Sequence, residues 1–190
     1  MSASFYTVEV LVLASQSPRR AEILHQAGIP FVVRSASVDE TPLAGEKPEE
    51  YVLRLAEEKA MAVAAARDET VLGADTTVVI GSRLLGKPED ATDAVRMLEA
   101  LSGQCHQVLT GICLRGPSCA IRDFAATRVW FTCMTRREIE DYVASGEPLD
   151  KAGGYAIQGL GSKFIERIEG CYFNVVGLPI ALVYKHLRNR

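Results

Sequence analysis

Leu11-Val12-Leu13-Ala14-Ser15-Gln16-Ser17-Pro18-Arg19-Arg20 is the stretch from which the fold can be read. It opens apolar and closes polar and cationic. Val8 to Ala14 carries Glu9 as its only charge and predicts a buried strand. Ser17 stands where a helix N-cap belongs, and Pro18 at the first helical position, where a missing N–H costs nothing. Ile23, Leu24 and Ala27 continue at helical spacing, and Gly28 supplies the stop. Arg19 and Arg20 therefore fall in the first turn of a helix that follows a strand. Free N–H groups and the positive end of the helix dipole gather there, so two arginines are disfavoured unless an anion joins them. Two solvated arginines are the bland alternative; the strand-to-helix setting favours a phosphate-binding corner.

Outward from this corner, strands and helices mix. Phe31–Arg34 reads as a short strand, and residues 35–46 as a loop carrying Asp39 and Glu40. Those two carboxylates are either a solvated turn or ligands for a hard cation. A second helix starts at Pro48 and runs to about Ala66, with an apolar stripe of Val52, Leu55, Ala56, Ala62 and Val63. Lys59 falls inside that stripe, so it either snorkels to water or reaches an anion in a cleft. Thr70–Ile80 reads as a strand interrupted by Asp75, a carboxylate that must be paired, metal-bound or turned to a cleft.

A hairpin to Arg83–Leu85 follows, and Gly86-Lys87-Pro88 sets a second lysine in a tight loop. Asp90 caps a third helix that Gly103 closes. Val108–Arg115, Cys119–Phe124 and Thr127–Cys133 read as strands, and Thr135-Arg136-Arg137-Glu138 as a capping box opening a helix. Residues 147–161 are glycine-rich but match neither the Walker A nor the dinucleotide pattern. Gln158 lies among those glycines, with an amide able to donate and accept at a base edge. Phe164–Ile168 reads as a strand, and a last helix begins near Pro179. The expectation is an α/β fold: one domain over residues 1–190, a mixed twisted sheet with flanking helices, and two lobes around a cleft.

The totals bound the function. The 190 residues carry a net charge of −3 at pH 7, which opposes a general nucleic-acid binder. Five cysteines, an odd number without zinc-type spacing, suit free thiols in a reducing compartment. No apolar stretch reaches the ~18 residues of a membrane span, and no basic leader precedes the first strand. The expectation is a cytoplasmic protein without membrane or nucleic-acid partners.

Taken together, Arg19, Arg20, Lys59 and Lys87 can gather around several phosphates, while Glu40 and Asp75 can hold a divalent ion and a water. That equipment cleaves a phosphoanhydride. The sequence resembles the Maf family of nucleoside triphosphate pyrophosphatases from Leu11 to about Leu187. The carriers are Ala14 to Arg20, Val38-Asp39-Glu40, Ala56-Glu57-Glu58-Lys59-Ala60, Gly73-Ala74-Asp75-Thr76, Gly86-Lys87-Pro88, Asp150-Lys151-Ala152-Gly153 and Val176-Gly177-Leu178-Pro179. The resemblance implies an inosine-triphosphate-pyrophosphatase-like fold and hydrolysis to monophosphate and pyrophosphate with Mg²⁺ or Mn²⁺. It implies Asp75 as the base, with Glu40, Lys59, Lys87, Ser15 and Arg20 in the same site and the metal on Asp75 and Glu40. Arg19, Thr76 and Gln158 resemble the branch acting on dTTP and UTP, with modified pyrimidine nucleotides as further substrates. A non-catalytic nucleotide-binding regulator of cell division is the alternative, and a homodimer is left open.

Overall fold

The computed structural model describes residues 10–35, 37–66 and 68–189. A seven-stranded mixed sheet runs in the order β2-β1-β3-β5-β6-β7, with β4 paired to β3 off that path. The strands are β1 (Val10–Leu13), β2 (Phe31–Val33), β3 (Glu69–Ile80), β4 (Arg83–Leu85), β5 (Cys105–Arg115), β6 (Ala120–Phe131) and β7 (Ile165–Glu169). The helices are α1 (Pro18–Gln26), α2 (Pro48–Met61), α3 (Ala91–Leu101), α4 (Arg136–Ala144), α5 (Tyr172–Val176) and α6 (Ile180–Arg188). The mixed α/β expectation holds. Val8 and Glu9, expected at the start of β1, lie outside the described residues.

The sheet is built around one long strand. β1 pairs parallel with Glu69–Leu72 at the start of β3, and β4 pairs antiparallel with Val78–Ile80 at its end. Between those stretches, Gly73 to Thr77 hydrogen-bond on their other side to β5. The sheet therefore splits along one flank of β3, and Asp75 sits in the split. Separate hydrophobic cores lie on either side. One gathers Leu11, Leu13, Leu24, Leu72, Leu114 and Leu178; the other gathers Val78, Leu98, Leu101, Phe131, Ile139 and Tyr142. A split sheet with a core in each half produces two lobes and a cleft.

Alternation along β3 sends neighbouring side chains to opposite faces. Gly73 and Asp75 face α2, and Thr76 faces α1 and α5. The helix lies very close to the sheet. A Cβ at Gly73 would meet the Ala56 carbonyl oxygen at 2.0 Å, and one at Gly111, the β5 partner of Asp75, would meet the Val52 carbonyl oxygen at 2.3 Å. Two glycines thus set the depth at which α2, and with it Lys59, rides over Asp75.

Several boundaries differ from the sequence reading. α2 stops at Met61, not Ala66, because Arg115 reaches its last turn: Nε donates to the Ala60 carbonyl at 3.0 Å and Nη2 to the Val63 carbonyl at 2.6 Å. With those carbonyls taken, the chain turns into β3 and Val63 drops into the core. The expected break between strands at Ala125-Ala126 does not occur. β6 pairs with β5 without interruption from Ala120 opposite Arg115 to Trp130 opposite Cys105, and no Gly or Pro interrupts it. β5 begins at Cys105, earlier than expected. α5 was not expected; it forms where the Cys171 N–H donates to Thr127 Oγ1 at 3.0 Å and the buried Asn174 amide donates to Val108 and Thr127.

His106 is buried on β5, edge-on to Phe131 and Tyr155, with Nε2 2.8 Å from the Tyr155 hydroxyl. Burial lowers its pKa to about 4 from an ordinary 6.5. The folded protein holds it neutral where the unfolded chain already binds a proton, so stability falls as pH drops from 6.5 towards 4 and levels off below that. The full effect amounts to about 3 kcal/mol. Melting temperature measured between pH 7 and pH 5 is expected to drop in the wild type and to drop clearly less in His106→Leu. Parallel curves would show that His106 does not carry the acid sensitivity.

Candidate active site

Lys59 is the hub of the cleft. Its Nζ lies 2.6 Å from Asp75 Oδ1 and 2.6 Å from Glu40 Oε1, one ammonium bridging two carboxylates. The Lys59 side chain is 13% exposed and that of Asp75 8%, so the pair is largely withdrawn from water. An unpaired buried carboxylate or ammonium is costly, and the short contact offsets that cost for both. This settles the choice left open by the helical stripe: Lys59 turns inward to an anion and does not snorkel. Glu40 comes from the loop before α2, which the helix holds in place. The Tyr51 hydroxyl donates to the Glu40 carbonyl at 2.9 Å, and Arg54 Nη2 donates to the Thr41 carbonyl at 3.2 Å. Partial burial pushes the Glu40 carboxyl up. The Lys59 hydrogen bond and the charges of Lys59, Lys87 and Arg20 outweigh this and hold it below the usual glutamate range.

The strand-to-helix corner divides its arginines. Arg20 is buried. Its Nε donates to the Gly177 carbonyl at 2.8 Å, Nη1 to Ser15 Oγ at 3.0 Å and Nη2 to Thr76 Oγ1 at 3.1 Å. Each of these partners is a neutral oxygen. Burial pulls the Arg20 pKa below its ordinary value, the Asp75 charge opposes this, and the neighbouring Arg19 adds to it. The result is a fixed, poorly solvated cation at a helix start, suited to an incoming anion. Ser17 caps α1 by position, yet its side chain makes no cap hydrogen bond; Ser15 Oγ accepts the Ser17 N–H at 3.2 Å instead. Arg19 turns the other way and pairs with Asp150, Nη1 to Oδ2 at 3.0 Å.

A cleft of about 720 Å³ collects these groups. Its lining includes Ser15, Arg19, Arg20, Glu40, Lys59, Asp75, Thr76, Lys87 and Gln158, so every site residue expected from the sequence faces one cavity. Lys87 and Gln158 are exposed at its surface. Thr76 is half-buried in the cleft wall. Its hydroxyl accepts from Arg20 and lies 3.0 Å from Thr110 Oγ1. Each hydroxyl also has a carbonyl acceptor in reach, Asn174 at 3.2 Å for Thr110 and Gly177 at 3.4 Å for Thr76, so either threonine can supply the shared hydrogen. Tyr51, Asp150 and Lys151 also line the cleft and were not among the expected site residues. For Tyr51 the available signal is its place one turn before Leu55 on the stripe that carries Lys59. For Asp150 and Lys151 it is the Asp150-Lys151-Ala152-Gly153 run itself.

The carboxylate pair bears on a cation. Among the described residues no three His, Cys, Asp or Glu side chains are grouped to hold a metal. Two carboxylates are what Mg²⁺ commonly takes from a protein, the remaining ligands being water and substrate phosphate. The hard oxygen donors of Asp75 and Glu40 fit such an ion.

In the split of the α/β sheet, the buried Asp75 and exposed Glu40 carboxylates stand beside the cationic Arg19, Arg20, Lys59, Lys87 and Lys151, a charge pattern that suits a polyphosphate ligand. The family model for Maf-like proteins matches residues 10–190, and the chain belongs to that family. A protein of Koribacter versatilis (strain Ellin345) named dTTP/UTP pyrophosphatase is 51% identical over 179 residues, 94% of this chain and 93% of that one. A protein of the same name from Anaeromyxobacter dehalogenans (strain 2CP-C) is 55% identical over 175 residues, 90% of this chain and 89% of that one. Among solved structures, the Staphylococcus aureus Ham1 protein superposes with a TM-score of 0.45 at 17% identity, over 64% of this chain and 71% of that one.

Proposed function

We propose that this protein hydrolyses nucleoside triphosphates, dTTP and UTP foremost, to the monophosphate and pyrophosphate. The observation that carries this reading is the Asp75–Lys59–Glu40 bridge in a cleft that also holds Arg20 and Lys87. The relatives named dTTP/UTP pyrophosphatase, alike over nine-tenths of the chain, support the substrate class. Arg20, with its charge unmatched by a contacting carboxylate, and Lys87 receive the phosphates. Asp75 takes a proton from a water as that water's oxygen bonds to the α-phosphorus, and the bond to the leaving pyrophosphate breaks. Lys59 keeps the Asp75 carboxylate aimed into the cleft. Glu40 and Asp75 would hold a divalent cation, Mg²⁺ or Mn²⁺, which neutralises phosphate charge when bound. Arg19, Thr76 and Gln158 select the base: a neutral Gln amide and an Arg suit the carbonyl-rich edge of uracil or thymine.

As part of the same reading the protein acts in the cytoplasm, apart from nucleic acid and membrane, and works as a monomer or a homodimer. The five cysteines are free, and among the described residues no helix is long and apolar enough to cross a membrane. A regulator of cell division that binds triphosphates without turnover is the weaker reading, because it leaves the Asp75–Lys59–Glu40 set without a task. The test is a panel of nucleoside triphosphates with Mg²⁺ or Mn²⁺ and pyrophosphate as readout. UTP and dTTP are expected to be cleaved fastest, and chelation of the cation is expected to abolish release. Binding without release at either metal would favour the regulator.

A further inference from the structure

The Asp150-Lys151-Ala152-Gly153 run has no role in the chemistry above, yet it forms part of the cleft wall. Its geometry is that of a mount. The Gly153 N–H donates to the Gly86 carbonyl at 2.9 Å, beside Lys87. Gly153 has φ +69°, and a Cβ there would meet Val78 Cγ2 at 2.8 Å, so this turn is pressed onto the strand that carries Asp75. Lys151 Nζ donates to the Glu147 carbonyl at 2.7 Å and also pairs with Asp150 Oδ1. Upstream, the Glu147 carboxylate accepts from the Leu160 and Gly161 N–H groups and from Tyr142, closing the segment that carries Gln158. Asp150 stands at the edge of this braced segment and reaches across to α1. Its Oδ2 accepts from Arg19 Nη1 at 3.0 Å and its carbonyl from Arg19 Nη2 at 3.4 Å.

We infer that Asp150 is a specificity-setting residue, which orients the Arg19 guanidinium for reading the pyrimidine base. The contrast with Arg20 supports this. Arg20 is held by neutral oxygens and keeps its charge for phosphate; Arg19 is held by one oxygen of a carboxylate whose other oxygen pairs with Lys151, which offsets part of its charge, and by the Asp150 carbonyl, which helps fix its plane. A guanidinium so paired is less drawn to the triphosphate than Arg20, and its remaining N–H donors are left for neutral carbonyl oxygens. Asp150 also ties Arg19 to the segment bearing Gln158, so two of the three base-selecting side chains share one mount. The Asp150 side chain is 63% exposed, so its removal leaves the core intact. Asp150 acts through Arg19 and is a positioning residue.

The inference rests on the proposed hydrolysis, with uracil and thymine as preferred bases. The experiment measures kcat/KM for UTP and CTP in wild type, Asp150→Ala, Arg19→Ala and the double variant. Uracil offers a carbonyl acceptor where cytosine offers an amino donor, so a misaimed Arg19 narrows the difference between them. The expected result is a fall of about tenfold in the UTP-to-CTP ratio for Asp150→Ala, the effect of one charge-assisted contact. In the Arg19→Ala background, removing Asp150 is expected to change the ratio no further. An unchanged ratio in Asp150→Ala, an equal loss on both nucleotides, or additive effects in the double variant would each overturn the assignment of Asp150. Failure of the wild type to release pyrophosphate from any nucleotide overturns the proposed reaction itself, a distinct outcome.

Discussion

Asp75→Asn lowers kcat for pyrophosphate release from UTP at least about a hundredfold, the low end for loss of a general base. The substitution is close to isosteric and keeps an amide oxygen that can accept from Lys59, so the 2.6 Å contact survives in kind. Lys59 also retains Glu40, at 2.6 Å, as its charged partner. What is lost is the ability of the side chain to take a proton from water. The prediction is therefore a large loss in kcat, with little change in melting temperature. Lys59→Met makes the useful contrast, because it strands a buried carboxylate without its cation and should lower stability as well as rate. Steady-state kinetics with both metals, read beside thermal unfolding, checks the pair of outcomes. An Asp75→Asn protein at full rate would remove Asp75 from the chemistry and leave Glu40 as the only other carboxylate of the bridge.

Much of this site was legible because it is written in departures from local expectation. Lys59 interrupts an apolar helical stripe, Asp75 interrupts an apolar strand, and two arginines occupy the wrong end of a helix. Each is a charge where packing or the dipole disfavours one, and in the structure each has a partner of opposite charge or a set of oxygens waiting for it. What stayed hidden depends on contacts distant in sequence. The Arg19–Asp150 pair joins positions 131 residues apart, and no periodicity reports such a contact. Tyr51 looks like one more apolar stripe residue until its hydroxyl is seen on the Glu40 carbonyl. The early end of α2 depends on Arg115 arriving from β5, and the short α5 on Thr127 from β6. Where one backbone partner decides a boundary, local propensity misplaces it; where a side chain contradicts its own surroundings, the sequence already marks it.

Gly73→Ala tests how tightly fold and chemistry are joined. The added Cβ would lie 2.0 Å from the Ala56 carbonyl oxygen, 2.8 Å from the Ala60 nitrogen and 3.0 Å from the Ala60 Cβ. These are helix backbone atoms and a methyl fixed to that backbone, so no flexible side chain can yield. Either α2 lifts from the sheet or the substitution is not accommodated. Overpacking of this kind costs about 3 kcal/mol, at the upper end of its usual range, because the clash is with backbone. For a chain of this size that corresponds to a fall in melting temperature of roughly 6–12 °C. The functional consequence follows from the same displacement. Lys59 lies one residue before Ala60, and Asp75 lies two residues after Gly73 on the same face of β3, so lifting α2 draws the ammonium away from the carboxylate it must hold. Activity measured well below the melting temperature, where the variant is folded, should still be reduced by tenfold or more, since misplacement by about 1 Å can cost a hundredfold. A variant that is destabilised but fully active when folded would show that Lys59 tolerates movement, and that the depth of α2 serves packing alone.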